Sequence, residues 1–287
     1  MASINFTPTV PGTLMVKNGR NNPRPCGSGK RYKKCCLDKK PREQIVMVGS
    51  SEPLRGLHYD KEKMEFTGLT LDGRLVKPVV TYSQTHYKSD SGKEKVIARI
   101  QDKVILNEAE LMEHLSSSFD LIIGVDTNTK AIGSERISVT GIVHCVLQRL
   151  PEAASYSADF PWHGAIMFRN CPSALPPEKF GWMTVIKRVN HEPLNRLKRF
   201  AIVTDHDLDN HTSYNNKKLP IFREFYLPDN FILMYGRVDG PNRSLLNYVV
   251  KRCEKESAEV LRMIEQTGYY RHGDTKFSIN QIPVPGF

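Results

Sequence analysis

Three short apolar runs, LIIGV at 121–125, FAIVT at 200–204 and FILMY at 231–235, most restrict what this chain can fold into. Each is dense in β-branched and large aliphatic residues and carries no polar alternation, the pattern of a strand buried inside a sheet. Segments with helical periodicity lie between and after them, so the body reads as α/β with a mixed sheet. With 287 residues and 39% hydrophobic content, the chain can bury a sizeable core and is long enough for about two domains, which excludes a disordered polypeptide. No window approaches the ~18 uninterrupted apolar residues of a spanning helix, and the start, MASINFTPTVPGTLMVKNG, lacks a basic stretch followed by an apolar one. The sequence therefore predicts a cytoplasmic protein with no membrane partner.

Further elements follow from pattern. EFTGLTL, an Asp72-Gly73 turn and RLVKPVVTYSQ read as a hairpin, followed by KVIARIQDKVIL, and together they predict a small β-rich unit over 63–106. Residues 46–62, broken by Ser50, Ser51 and Pro53, read as a linker. Asn107 and Glu110 suit a capping box that opens a helix with Leu111, Met112 and Leu115 on one face. The mixed α/β body then spans 107–287. Its strands are FDLIIGVD, ISVTGIVHCVLQ, HGAIMF, WMTVIKRV, FAIVTD and FILMYGRVD, with a helix over HEPLNRLKR, a long polar loop over 206–230 and a long helix from Arg243 to about Gln266.

The formal charge of +10 is not spread over this body. Residues 1–45 carry ten Lys/Arg against Asp38 and Glu43, so +8 sits there and the other 242 residues are nearly neutral. The same segment holds three of the six cysteines, Cys26, Cys35 and Cys36, and clustering of this kind points to metal rather than disulfides. Lys30, Arg31, Lys33 and Lys34 among them suit contacts with nucleic-acid phosphates.

GRNNPRPCGSGKRYKKCC, residues 19–36, resembles the SEC-C motif, a zinc-binding hook. The match runs through Cys26, Gly27, Ser28, Gly29, Lys30, Tyr32, Cys35 and Cys36, with Arg24 standing where the family places its first cysteine. The resemblance implies Zn²⁺ held by Cys26, Cys35 and Cys36, completed by a His of the body, another chain or water, because structural zinc takes four ligands; the alternative is a copy that has lost its metal and persists as a basic tail. It also implies a binding module for ribosome, chaperone or nucleic acid.

In the body, Asp126, Asp205 and Asp239 each close an apolar strand, and ligands gather at the carboxyl ends of strands in open α/β sheets. Asp205, Asp207 and Asp209 would share one face if the strand continued. On the last helix, Glu254 and Glu256 fall at the two edges of the apolar stripe. His144 and Cys145 point to opposite faces of their strand, which argues for a buried cysteine rather than a catalytic dyad, and Phe160 and Trp162 read as aromatic core.

This order, core strand with Asp126, later strand with Asp205, then an acidic final helix, resembles the ribonuclease-H-like nuclease and transposase superfamily over residues 119–266. The resemblance implies a Mg²⁺- or Mn²⁺-dependent nuclease or phosphodiester transferase in which Asp126 and Asp205 ligate metal, with Asp207 and Glu254 or Glu256 assisting. The superfamily's acid between the third and fourth strands finds only Glu192 nearby. Two alternatives stand beside this reading: a non-catalytic adaptor whose aspartates merely shape turns, and a subunit of a defence or mobile-element complex whose chemistry needs a partner.

Overall fold

A computed structural model describes residues 46–50, 54–60, 65–69, 75–81, 98–100, 103–105, 108–151, 155–205, 208–236 and 244–285. The cysteine hook, with Cys26, Lys30, Arg31, Lys33, Lys34, Cys35 and Cys36, lies outside them, as do Asn107, Asp207 and Asp239.

The fold is mixed α/β. Strands β7 (Leu121–Ile132), β8 (Glu135–Arg149) and β9 (Ser155–Arg169) run antiparallel in sequence, with Ile122 opposite Cys145 and Ile142 opposite Gly164. On the other edge of β7 lie β10 (Phe200–Thr204) and then β11 (Phe231–Tyr235), both parallel to it. Strands β1 (Val46–Ser50) and β2 (Leu54–Asp60) both pair with the free edge of β9, at 163–167 and 155–160, and β3 (Glu65–Leu69) and β4 (Leu75–Thr81) extend the sheet beyond β2. The stretch expected as a linker thus holds two strands of the main sheet. Val48, Leu57 and Tyr59 are buried there, so alternation on either side of Pro53 carried the strand signal. A short pair, β5 (Ala98–Ile100) with β6 (Lys103–Ile105), stands apart from the sheet.

Helices cover both faces, because β7 buries alternate residues on opposite sides. Ile122 joins a core with helices α1 (Glu108–Ser118) and α4 (Leu245–Thr267), built on Leu111, Met112, Leu115, Val249 and Cys253. Leu121, Ile123 and Val125 pack instead against α2 (Pro177–His191), through Phe180, Trp182, Val185 and Ile186, and against Tyr214 of α3 (Leu208–Asn215). Each such fully buried aliphatic or aromatic side chain contributes ~1.5–3 kcal/mol.

WMTVIKRV is part of helix α2, not a strand. Thr184, Val185 and Ile186 favour strands locally, yet Trp182, Val185, Ile186 and Val189 fall at helical spacing and all four are buried against the sheet, so tertiary burial wins over propensity. HEPLNRLKR forms only a 3₁₀ turn at Pro193–Leu197, and α3 occupies part of the expected 206–230 loop. The buried Asn215 of α3 donates to Leu233 O (2.9 Å) and accepts from Leu233 N (2.7 Å), pairing one residue of the outermost strand β11 as a neighbouring strand would. His144 and Cys145 are both buried, and Trp162 is buried against the His144 ring, at 4.7 Å between centroids.

Helix α4 begins at Ser244, whose Oγ accepts from Leu246 N (3.2 Å), and ends at Gly268 in the left-handed region. It lies unusually close to the sheet. A Cβ on Gly141 would fall 2.0 Å from Cys253 O, and one on Gly124 would fall 2.4 Å from Val249 Cγ1. Gly141→Ala should therefore push α4 off β8 and cost about 1–3 kcal/mol in chemical denaturation, whereas Ser134→Ala in the exposed hairpin turn should stay within ~0.5 kcal/mol.

Candidate functional site

The site arises from strand register. Each residue of β7 pairs with the residue 79 positions later on β10, from Leu121–Phe200 to Gly124–Val203. Asp126 and Asp205 stand at that same separation, one step past the last residue of β10. Neighbouring strands lie ~4.8 Å apart, and equal register puts both side chains on one face. The two carboxyls share a hydrogen bond.

Asp126 does not end its strand. β7 continues to Ile132, because its polar residues pair across the hairpin: Thr127 Oγ1 with Thr140 Oγ1 (2.7 Å) and Thr129 Oγ1 with Ser138 Oγ (2.9 Å). The pairing with β10 has its last pair at Gly124–Val203, and beyond it, among the described residues, β7 pairs with β8 alone. Asp205 follows the last residue of β10 directly, and Asp209 lies within α3 rather than on a continuation of that strand, while Asp207 lies outside the described residues.

Asp126 is 8% exposed, and its pKa is pushed up to about 8. Burial is the largest cause, followed by the Asp205 charge and the hydrogen bond between the two, then by Glu254 and Glu178. A hydrogen bond between two carboxyls requires a proton on one of them, and the field of two further acids keeps it there. Asn128 supplies a donor: its Nδ2 lies 3.4 Å from Asp126 Oδ2 and 2.8 Å from Ser257 Oγ.

The two helix-edge acids separate. Glu254 faces the carboxylate pair closely enough to raise Asp126. Glu256 lies on the other flank of α4, where its Oε2 is 3.0 Å from His163 Nδ1 on β9, and is not among the groups acting on Asp126. Helical periodicity locates both edges of the stripe but not which edge meets β7; the position of β9 decides that.

Glu178 is the residue that sequence reasoning passes over, and Glu192, at the far end of α2, is not its equivalent. Pro177 followed by Glu178 is a helix-start signal, masked by reading the next segment as a strand. Gly181, one turn later, lets α2 press against the sheet beside the site: a Cβ there would lie 2.4 Å from Thr140 Oγ1 and 2.9 Å from Thr127 Oγ1.

Among the described residues, no group of three or more His, Cys, Asp or Glu side chains is arranged to enclose a metal ion. The convergence is of two carboxylates, with two more within electrostatic reach, all of them hard oxygen donors of the kind that suits Mg²⁺ or Mn²⁺. A divalent cation would replace the shared proton and relieve the repulsion that raises Asp126.

The SEC-C motif family matches residues 20–38. Among curated proteins none matches. A solved structure of a foamy viral protease-reverse transcriptase in complex with dsDNA is similar over 54% of this chain and 100% of that one, at 15% identity and a TM-score of 0.29, too distant to carry an argument. Among the described residues, no helix is long and apolar enough to cross a membrane.

The raised acid has a thermodynamic consequence. Between about pH 4 and about pH 8, folded Asp126 keeps a proton that the unfolded chain has lost, so its contribution lowers stability as pH rises and is fully unfavourable above the folded pKa. In chelator, the thermal midpoint of Asp126→Asn relative to wild type should rise between about pH 5 and about pH 8.5, each ~1 kcal/mol appearing as roughly 2–4 °C. A wild type that gains on the variant over that range would contradict the assignment.

Proposed function

We propose that the body is a metal-dependent nuclease or phosphodiester transferase of ribonuclease-H-like type, acting on nucleic acid, with the SEC-C segment as an attached zinc-binding module that contacts nucleic acid or a protein partner. The observation that carries the reading is the meeting of Asp126 and Asp205 at equal register beyond the end of β10, with Glu254 and Glu178 within electrostatic reach of Asp126. A paired carboxylate site with surplus negative charge is unfavourable for folding, and divalent cations would compensate it.

When bound, Mg²⁺ or Mn²⁺ would supply the positive charge that stabilises the attacking and leaving oxygens of a phosphodiester. Asp126 and Asp205 would hold it, with Glu254 and Glu178 adding charge and Asp207 as a further donor following β10. Lys30, Arg31, Lys33 and Lys34 would contact phosphates, while Cys26, Cys35 and Cys36 would fold the hook around Zn²⁺.

The test is cleavage of end-labelled DNA and RNA by the purified chain with Mn²⁺. Wild type should cut at least one, and Asp126→Asn/Asp205→Asn should reduce the rate by about 10³-fold or more, the scale of losing ~4 kcal/mol of transition-state stabilisation. Equal background cleavage by both proteins would refute the catalytic reading. Removing residues 1–45 should flatten the salt dependence of nucleic-acid binding, because most of the net positive charge resides there. A salt slope unchanged by the truncation would place phosphate contacts elsewhere.

The SEC-C match at residues 20–38 also supports an adaptor reading, in which this module captures a ribosome, chaperone or nucleic acid and the aspartates do no chemistry. That reading predicts loss of partner capture on truncation and no metal affinity at Asp126.

A further inference from the structure

We infer that Asn128 is a positioning residue for the carboxylate pair: its carboxamide holds the Asp126 side chain in register with helix α4 and so sets where Glu254 stands. The inference rests on the metal-dependent reading above and adds a residue to it.

Asn128 lies two residues beyond Asp126 on β7, so both point to the α4 side of the sheet. Its two amide hydrogens are divided between Ser257 Oγ, at 2.8 Å, and Asp126 Oδ2, at 3.4 Å. Ser257 is fully buried, and its Oγ in turn donates to Glu254 O at 2.9 Å. One continuous path therefore runs from the Asp126 carboxylate through Asn128 and Ser257 to the backbone of Glu254. The path has a direction. Asn128 donates at both ends, while the Ser257 hydroxyl accepts from Asn128 and spends its single proton on the Glu254 carbonyl.

The surroundings make the path consequential. Gly141 lies opposite Asp126 on β8 and leaves no space between strand and helix, so α4 cannot move inward. Sliding along its axis or rotating would change where Glu254 stands relative to Asp126. The Asn128–Ser257 bond resists both. The longer bond to Asp126 orients a carboxylate whose other near neighbours are acidic. Without it, Asp126 keeps the proton it shares with Asp205, which is what a cation would displace.

The experiment is Mn²⁺ binding to the full-length chain, read as free Mn²⁺ by electron paramagnetic resonance, with thermal unfolding in chelator beside it. Asn128→Leu keeps bulk and removes the donor; it should weaken Mn²⁺ binding about 10-fold, the lower end of what removing a partner of a ligating side chain costs, with a thermal midpoint close to wild type. Asn128→Ser, which restores a short donor, should recover part of the affinity and serves as the second variant if the leucine chain fails to fold. Asp126→Asn is the reference. If it abolishes binding while Asn128→Leu binds like wild type, the positioning role is overturned and the metal site stands. If Asp126→Asn itself binds Mn²⁺ like wild type, the metal reading and this inference fall together.

Discussion

The parallel pairing of β7 with β10 is the constraint on which the site depends. Four consecutive register pairs fix the two strands, and that register carries Asp126 and Asp205 to adjacent positions where neither can withdraw without breaking the sheet's core. The strand residues leading to them, Ile122, Ile123, Ala201, Ile202 and Val203, are all buried. Burial of those residues contributes the free energy that holds two like charges together, and the cost appears in the raised pKa of Asp126. β7 and β10 pair where both are apolar and no further once they become acidic, so the carboxylates meet just beyond the end of that ladder.

Close approach of the helices completes the arrangement. Gly124 and Gly141 let α4 lie against β7 and β8, and Gly181 does the same for α2 on the opposite face. A larger residue at any of the three would hold a helix away from the sheet and, with it, Glu254 or Glu178 away from Asp126. These glycines matter through the space they leave rather than through special backbone angles. The electrostatics of the site is in this sense a product of packing: helix-to-sheet distance sets how strongly the outer acids act on the inner pair, and in a buried setting that action is only weakly screened.

Much of this was legible in the sequence, and the misses have identifiable causes. The apolar runs gave β7, β10 and β11 because burial on both faces removes polar alternation, and the α4 stripe gave both its length and its two acidic edges. Asp126 was visible as a carboxylate after an apolar run, but not as a mid-strand residue, because the Thr127, Thr129, Ser138 and Thr140 hydroxyls that sustain the ladder look like turn chemistry until β8 is placed opposite. Glu178 was hidden by β-branched residues in α2, whose helical state depends on the sheet beneath it. The choice between Glu254 and Glu256 was open in the pattern, since only the neighbouring strand reveals that His163 engages the second.

The distribution of charge follows the same division. The 242 residues after position 45 are nearly neutral, with 31 basic and 29 acidic groups, and their acids include the Asp126–Asp205 pair, which would repel a phosphate on approach. A polyanion therefore gains little from the described body alone. The first 45 residues carry +8, and the SEC-C match at 20–38 lies among them. On the proposed reading, attraction and chemistry would reside in separate parts of the chain: the strongly cationic first 45 residues, and a carboxylate pair in a nearly neutral body. On the proposed reading, a divalent cation held by Asp126 and Asp205 would also cancel the local repulsion that would otherwise keep a phosphodiester from them.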